Sequence, residues 1–271
     1  MKKLFLTLSV CLGIIVLAAC GNSGVDEDTL VVGASNVPHA EILEEAKPIL
    51  EEKGIKLEVE TFQDYVLPNK ALANGEIDAN YFQHIPYLKS QMEKNENYSF
   101  ANAGGIHIEP IGVYSQEYDS LGKLPEGAEI IMSNSVADHG RMLSLLEKEG
   151  LIKLKDGIEK TEATVDDIVE NSKNLEFRTD VEAGLLPKVY KNGEGDAVLI
   201  NTNYAIDAGL DPKKDAIALE GSDSPYVNII AVNKGDEDNE QIQTLVEVLR
   251  SEEIQTFIKE EYNGSVVPVS E

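Results

Sequence analysis

The chain has 271 residues, a formal net charge of −26 and two cysteines, Cys11 and Cys20. So acidic a surface argues against binding to nucleic acid or to anionic lipid headgroups, because both carry the same sign of charge. Both cysteines lie near the N-terminus, so the rest of the sequence offers no disulfide, thiol nucleophile or thiolate metal site. The length is sufficient for a sizeable hydrophobic core and for two lobes.

The N-terminal segment has the pattern of a secretory signal. Two lysines precede a short apolar run that ends in small residues and a cysteine, LFLTLSVCLGIIVLAAC. The run is shorter than the roughly 20 residues of a spanning helix, and its LAAC-G ending is similar to a bacterial lipobox. We predict a signal peptide at 1–19, a lipid on Cys20 and a flexible tether at 20–29. The protein is then anchored to the cell membrane on its extracytoplasmic face; an uncleaved membrane anchor is the alternative.

From Leu30 onward the chain alternates segments typical of strands and helices. The first series predicts strands at 30–35, 56–62, 77–82 and 111–115 and helices at 39–54, 67–75 and 85–95. The second series predicts strands at 129–134, 174–179, 196–201 and 226–233, helices at 139–150 and 182–193, and two further helices after the last strand. Repeated βα units indicate an α/β fold of mainly parallel sheets flanked by helices. We expect lobe 1 to comprise 30–116 and 224–271, lobe 2 to comprise 117–223, and a ligand cleft to lie between them.

Polar and aromatic side chains follow the predicted strands where each strand ends. In sheets of this kind ligands bind at the carboxyl ends of the strands, so these side chains are candidates for a binding site. They are Tyr65, Tyr81, Phe82, His84, Asp138, Arg141, Asn201, Asn203 and Asn228.

Each candidate also has an ordinary structural interpretation. Arg141, in the first turn of a predicted helix, could hold a carboxylate, or could be a solvated arginine paired with an acid such as Glu147. Asparagines could contact an amino-acid head group or form caps and turns. Asp138 could be a helix N-cap or face a ligand ammonium. The aromatic residues and His84 could form the wall of an apolar pocket or part of the core.

No sequence motif indicates catalysis or a metal centre. The four histidines, at 39, 84, 107 and 139, lack HExxH spacing, and there is no GxSxG, P-loop or GxGxxG followed by an acid. We therefore predict no enzymatic activity, no cofactor and no metal; a zinc site formed by three of the histidines is the alternative.

Four stretches carry a resemblance to a known family. They are VETFQDYVLPNKALANGEIDANYFQHIPYL (59–88), ENSKNLEF (170–177), DAVLINTNYAIDAGL (196–210) and DSPYVNIIAV (223–232). Their order and content resemble the methionine-binding lipoproteins of bacterial methionine ABC importers, the NlpA lipoprotein family. The resemblance implies a two-lobed, type II periplasmic-binding-protein fold whose lobes close on one amino acid. It also implies delivery of that amino acid to a membrane permease driven by a cytoplasmic ATPase, by a binding protein that is a monomer.

The resemblance also implies roles for the candidate residues. Tyr65, Tyr81, Phe82 and His84 would surround the thioether, Arg141 would bind the carboxylate, and Asn203 and Asn228, with Asn201 nearby, would contact the head group. The sequence departs from the family at SNSVADHGRML (133–143), where Asp138 replaces the usual asparagine.

The expected ligand is L-methionine, with D-methionine, methionine sulfoxide, a methionine-containing dipeptide and another apolar amino acid left open. A surface adhesin that uses the same fold without transport, and an exported hydrolase, are the competing functions.

Overall fold

The computed structural model describes residues 29–221 and 223–269. The predicted signal peptide, the lipidation of Cys20 and nearly all of the predicted tether lie outside these residues, and β1 begins at the tether's last residue. In chain order the strands are β1 (Thr29–Ser35), β2 (Lys56–Phe62), β3 (Ala79–His84), β4 (Phe100–Ile108), β5 (Gly112–Tyr114), β6 (Glu129–Ser133), β7 (Ile152–Leu154), β8 (Ile168–Asn171), β9 (Glu176–Val181), β10 (Ala197–Ile200), β11 (Ala218–Leu219), β12 (Val227–Asn233) and β13 (Val267–Pro268). The helices are α1 (Glu41–Glu52), α2 (Leu67–Asn74), α3 (Ile85–Lys94), α4 (Val136–Lys148), α5 (Leu186–Lys191), α6 (Thr202–Asp207), α7 (Pro212–Asp215), α8 (Glu240–Leu249) and α9 (Glu252–Glu261).

Six strands form the first sheet, in the order β13-β4-β12-β3-β1-β2. β1 pairs in parallel with β2 and β3, as βα units predict, but β12 pairs antiparallel with β3 and β4, and β13 pairs antiparallel with β4. The sheet is therefore mixed rather than mainly parallel. The reason is that β12 returns from the second sheet and enters between two strands that the chain formed earlier.

Five strands form the second sheet, in the order β11-β5-β10-β6-β9. β6 pairs in parallel with β9 and β10, while β5 pairs antiparallel with β10 and β11. Its own hydrogen bonds thus place β5 in the second sheet, although the sequence assigns residues up to 116 to the first lobe. By strand pairing the first crossing comes before Gly112. A separate hairpin, β7 with β8, lies beside α4.

Helices cover both faces of the first sheet. Because side chains of a strand alternate between faces, Ile230 and Val232 of β12 pack with α1, α8 and α9, whereas Ile229 and Ala231 pack with α2 and α3. Each fully buried aliphatic side chain of this kind stabilises the fold by about 1.5–3 kcal/mol. The second sheet has its own core clusters. Two separate cores give the molecule two lobes.

Most predicted elements are present within a residue or two of their expected ends. The helix expected at 67–75 ends as its glycine predicts, since Gly75 has a φ of +69°, which glycine adopts without a steric penalty. β4 is the main strand that the sequence does not predict. Its sequence, FANAGGIHI, has two glycines and no clean alternation, and only pairing with β12 fixes it as a strand. None of the helices in the described ranges is long and apolar enough to cross a membrane.

Candidate functional site

A small pocket lies between the two lobes, where the ends of β3 and β10 approach α4. About 370 Å³ of space free of protein atoms lies within it, part of it open to solvent. Its lining mixes aromatic, amide and charged side chains: Tyr65, Phe82, Gln83, His84, Tyr87, Glu109, Asp138, Arg141, Asn201, Thr202, Asn203 and Asn228. Eight of the nine residues predicted from the sequence are among them. The ninth, Tyr81, is not.

Tyr81 lies on the other side of β3 from the pocket. It is fully buried in the core between the first sheet and α1, and its hydroxyl is hydrogen bonded to His107 Nδ1. Phe82 belongs to a different cluster, in which it packs with Tyr87 and Ala137 on the pocket side of the strand. The prediction that Tyr81 forms part of the wall is therefore wrong for this geometry.

An aromatic wall closes one side of the pocket. Tyr65, Phe82 and Tyr87 have ring centroids 5.9–6.0 Å apart, and Ala137 of α4 packs against them. Phe82 has no partner in the pairing of β3 with β12, so the strand has a β-bulge at this residue. Bulges commonly redirect a side chain beside a binding site. Tyr87, in the first turn of α3, was not among the predicted residues. This wall offers apolar surface to a ligand side chain.

Gln83 and two asparagines form a buried amide cluster behind the wall. Asn69 of α2 and Gln83 exchange hydrogen bonds of 3.0 and 2.7 Å, and Gln83 also donates to Asn80 at 2.8 Å. Because all three side chains are buried, these bonds satisfy groups that would otherwise be costly to remove from water. The cluster fixes α2 against β3 and accounts for the polar residues in this strand.

His84 joins the two lobes across the pocket. Its Nδ1 accepts a hydrogen bond from the Tyr87 backbone N–H at 3.1 Å, which caps α3, and its Nε2 lies 2.9 Å from Asp138 Oδ1. Since a backbone N–H can only donate, we assign the imidazole proton to Nε2, from which it is donated to the carboxylate. Tyr65 makes a second bond across the pocket, donating its hydroxyl to Asn203 Oδ1 at 2.7 Å.

Asp138 and Arg141 lie one helical turn apart in α4, so their side chains are on the same face of the helix. Both are buried. Gly140 between them allows this burial, because a Cβ at Gly140 would be 2.1 Å from the carbonyl oxygen of Lys160. The close approach of the segment at Lys160 keeps water from this part of α4.

Arg141 is neither solvated nor paired with Glu147, which instead binds Lys160. Its Nε donates to Glu220 Oε2 at 3.0 Å, and its Nη2 donates to the same carboxylate and to the carbonyl oxygen of Glu109. The ring of Tyr226 lies 4.7 Å from the guanidinium carbon. Burial by itself lowers the pKa of Arg141, but the carboxylates of Glu220 and Asp138 raise it by more. The net pKa is therefore raised, and the guanidinium stays charged.

The three asparagines that line the pocket differ in their hydrogen-bond partners. Asn203 donates its backbone N–H to Glu109 Oε2 at 3.0 Å, and Asn228 Oδ1 lies 3.1 Å from His39 Nε2. Asn201 Oδ1 is buried with no hydrogen bond partner in the part of the chain that the structure describes. An unpaired buried acceptor beside a pocket is suited to receive a hydrogen bond from a ligand.

Glu109, which the sequence does not single out, lies at the centre of a buried histidine cluster. Its Oε1 is 2.8 Å from His107 Nε2 and 3.1 Å from His39 Nε2. Burial raises the pKa of the Glu109 carboxyl, but the two histidines outweigh it and the net pKa is lowered. The same holds for Asp138, where burial raises the pKa and the hydrogen bond from His84 and the charge of Arg141 lower it more.

The donor atoms of His39, His107 and Glu109 lie within 4.8 Å of one another, a spacing that the sequence does not reveal. Two imidazoles and a carboxylate are also a donor set that suits zinc. Here, however, His107 Nε2 is hydrogen bonded to Glu109 and His39 Nε2 to Asn228, with Glu109 Oε1 3.1 Å from the same His39 nitrogen, and this network accounts for the arrangement.

Comparison with known proteins places this chain in a family. A family model described as NlpA lipoprotein matches residues 30–270. The chain belongs to the NlpA lipoprotein family. This finding confirms the resemblance seen in the sequence.

Individual relatives are similar over nearly the whole chain. The methionine-binding lipoprotein MetQ of Bacillus subtilis is 53% identical over 275 residues, which cover 100% of each chain. A nutrient-binding protein of Burkholderia cenocepacia, solved with bound methionine, is 43% identical, with a TM-score of 0.83 over 88% of this chain and 99% of that one. A periplasmic substrate-binding protein of an ABC transporter from Coxiella burnetii is 37% identical, with a TM-score of 0.83 over 89% of this chain and all of its own. These structures confirm the predicted two-lobed periplasmic-binding-protein fold.

Proposed function

We propose that this protein captures methionine, or a close derivative, between its lobes and delivers it to an ABC importer. The observation that carries the proposal is the pocket itself. An apolar aromatic wall faces a set of charged and amide groups across the pocket, and an apolar amino acid has surfaces that match both. A solved relative holds methionine, and a curated relative is named for binding it. Capture by lobe closure needs no covalent step, so the protein acts as a binding protein rather than an enzyme.

In the proposed complex each group has a defined role. Tyr65, Phe82 and Tyr87 pack against the thioether side chain. Asn203, Asn228 and the unpaired Asn201 Oδ1 bind the head group. The bonds from His84 to Asp138 and from Tyr65 to Asn203 cross the pocket, so they form only when the lobes are closed.

Isothermal titration of ligand-stripped protein with L-methionine tests the proposal. We expect a single site, and weaker binding of norleucine, which replaces the sulfur by a methylene group while keeping the head group. D-methionine, methionine sulfoxide and a methionine-containing dipeptide in the same series identify the preferred ligand. If L-methionine at millimolar concentration gives neither heat nor a thermal shift, methionine capture is refuted.

We further propose that residues 1–19 are removed and that a lipid on Cys20 anchors the mature protein to the outer face of the cell membrane. The finding that the chain belongs to a lipoprotein family supports this proposal. Cys20→Ala should release the protein from the membrane fraction, and Cys11→Ala, within the predicted signal, is the matched control that should remain anchored. Retention of the Cys20→Ala protein would contradict the proposal.

The proposed partners are a membrane permease and its cytoplasmic ATPase, and the binding protein itself is proposed to be a monomer. Deletion of the gene should abolish high-affinity methionine uptake, and a plasmid copy should restore it. Uptake that is unaffected by the deletion would separate ligand capture from transport and favour the adhesin function. Light scattering on eluting protein, with and without methionine, measures the oligomeric state.

A further inference from the structure

Charged groups around the pocket are unequal in number. Glu109 and Asp138 line it with side-chain exposures of 7% and 1%, and Glu220 is 13% exposed where it pairs with Arg141. Arg141 is the one arginine or lysine among the residues described as lining the pocket. Three carboxylates therefore face one guanidinium in a region from which water is largely excluded, where charges interact more strongly than in water.

The histidines nearby do not supply the missing positive charge. His84 is neutral by its hydrogen bonds, since Nδ1 accepts from a backbone N–H. His39 Nε2 faces two acceptors, Asn228 Oδ1 and Glu109 Oε1, so its proton is on that nitrogen, and burial lowers the pKa of His39 to about 4. His107 is not in the pocket lining: its Nε2 lies 2.8 Å from Glu109 Oε1, and its Nδ1 is hydrogen bonded to the Tyr81 hydroxyl.

Arg141 is also less available to a ligand than its position suggests. Its Nε and Nη2 are engaged with Glu220 and with the Glu109 carbonyl, and only Nη1 has no partner among the described residues. A ligand carboxylate therefore cannot form the parallel pair of bonds that makes arginine a strong carboxylate binder. The N-termini of α3 and α4 add a partial positive charge of roughly one half each, which does not balance three carboxylates.

The acceptors, by contrast, are ready for an ammonium group. Asp138 accepts a hydrogen bond from His84, and its carboxylate lines the pocket. Asn201 Oδ1 is an unpaired acceptor in the same lining. An ammonium group has three donors and no acceptor, so it matches this set.

We propose that the pocket recognises its ligand chiefly through the ammonium group, with Asp138 as the specificity-determining residue and the ligand carboxylate as the weaker contact. The proposal rests on the function proposed above and names the substrate class more closely: primary amines with an apolar thioether side chain, of which methionine is one. A ligand whose carboxylate is lost is tolerated, and one whose ammonium is lost is not.

Two analogues that each remove one charged group from methionine without adding bulk test the proposal. 3-(Methylthio)propylamine lacks the carboxylate, and 4-(methylthio)butanoic acid lacks the amine. In isothermal titration at about pH 7 the amine should bind at least about tenfold more tightly than the acid, because the acid has lost the stronger charged contact, that of the ammonium group. Asp138→Asn, which keeps the shape of the side chain, should reduce the ratio of the affinity for the amine to the affinity for the acid. Glu220→Gln, which releases Arg141, should strengthen binding of the acid.

The outcomes separate this proposal from the function on which it rests. If methionine binds but the acid binds as tightly as the amine or more tightly, ammonium recognition is wrong while methionine capture stands. A ratio unchanged by Asp138→Asn rules out Asp138 as the determinant. If methionine and both analogues fail to bind, both proposals are refuted.

Discussion

The buried histidine His39 makes the stability of the protein depend on pH in a way that can be measured. It is 1% exposed, and its Nδ1 has no hydrogen bond partner in the described part of the chain. Burial lowers its pKa from 6.5 to about 4, because it removes the water that would stabilise a charged imidazole. The Glu109 carboxylate raises the pKa, but by less than burial lowers it. The folded protein therefore keeps His39 neutral at pH values where an unfolded chain binds a proton.

The sign and size of the effect follow from linkage. Above pH 6.5 His39 is neutral in both states and does not make stability depend on pH. As the pH falls from 6.5 to about 4, the unfolded chain gains a proton that the folded one excludes, so the free energy of unfolding decreases. At 1.36 kcal/mol per pKa unit, the loss at pH 4 is about 3 kcal/mol.

Urea unfolding at a series of pH values from 7.5 to 4 measures this loss. His39→Gln is the matched variant, since its amide N–H can replace the Nε2–H donor towards Asn228 and Glu109 but cannot be protonated. The difference in unfolding free energy between the two proteins should change by about 3 kcal/mol over this range, to the disadvantage of the histidine. Parallel pH profiles for the two proteins would show that His39 is not held neutral by burial.

Three other substitutions test further parts of the structure. Arg141→Ala should weaken methionine binding at least about tenfold by isothermal titration, because it leaves the buried carboxylates of Glu220 and Asp138 without their countercharge. Arg178, a partly exposed arginine away from the pocket, is the control, and Arg178→Ala should leave the affinity unchanged. Tyr81→Phe should lower the free energy of unfolding in urea by roughly 1–2 kcal/mol, because it deletes the hydrogen bond to His107. It should not change methionine affinity directly; a loss of affinity without a loss of stability would mean that Tyr81 does line the pocket. Gly140→Ala should lower the free energy of unfolding in urea by about 1–3 kcal/mol, because its Cβ would collide with the Lys160 carbonyl oxygen. Gly122→Ala is the control: its Cβ would have no atom within 4 Å, so the free energy of unfolding should not change for steric reasons.

The sequence predicts much of the fold because local signals and the tertiary structure agree. The run at 30–35 is buried on both faces as its apolar residues imply, and α1 ends near the glycine expected to stop it. The direction of strand pairing was not predictable in the same way. β12 reads as a strand in its own sequence, but nothing in it shows that it lies antiparallel between β3 and β4.

The candidate site was predictable to the extent that its residues follow strand ends. His84, Asp138, Asn201 and Asn203 do so, and the pocket brings them together. Tyr81 was misplaced because the sequence does not show which of two adjacent aromatic residues in a strand faces the core and which faces the pocket. Glu109 was missed because it follows β4, a strand with no clear pattern of its own.

The position of β12 has a consequence for how the chain reaches its folded state. Its residues 227–233 lie late in the sequence, yet they occupy an interior place in the first sheet. Until they arrive, β3 and β4 have no common neighbour and each presents an unpaired edge, the kind of surface that promotes aggregation. Pairing at such long sequence separation also slows folding. A nascent or exported chain therefore depends on its last 45 residues or so to complete a sheet begun by its first strand, and a truncation before Val227 should yield an insoluble fragment rather than a smaller working lobe.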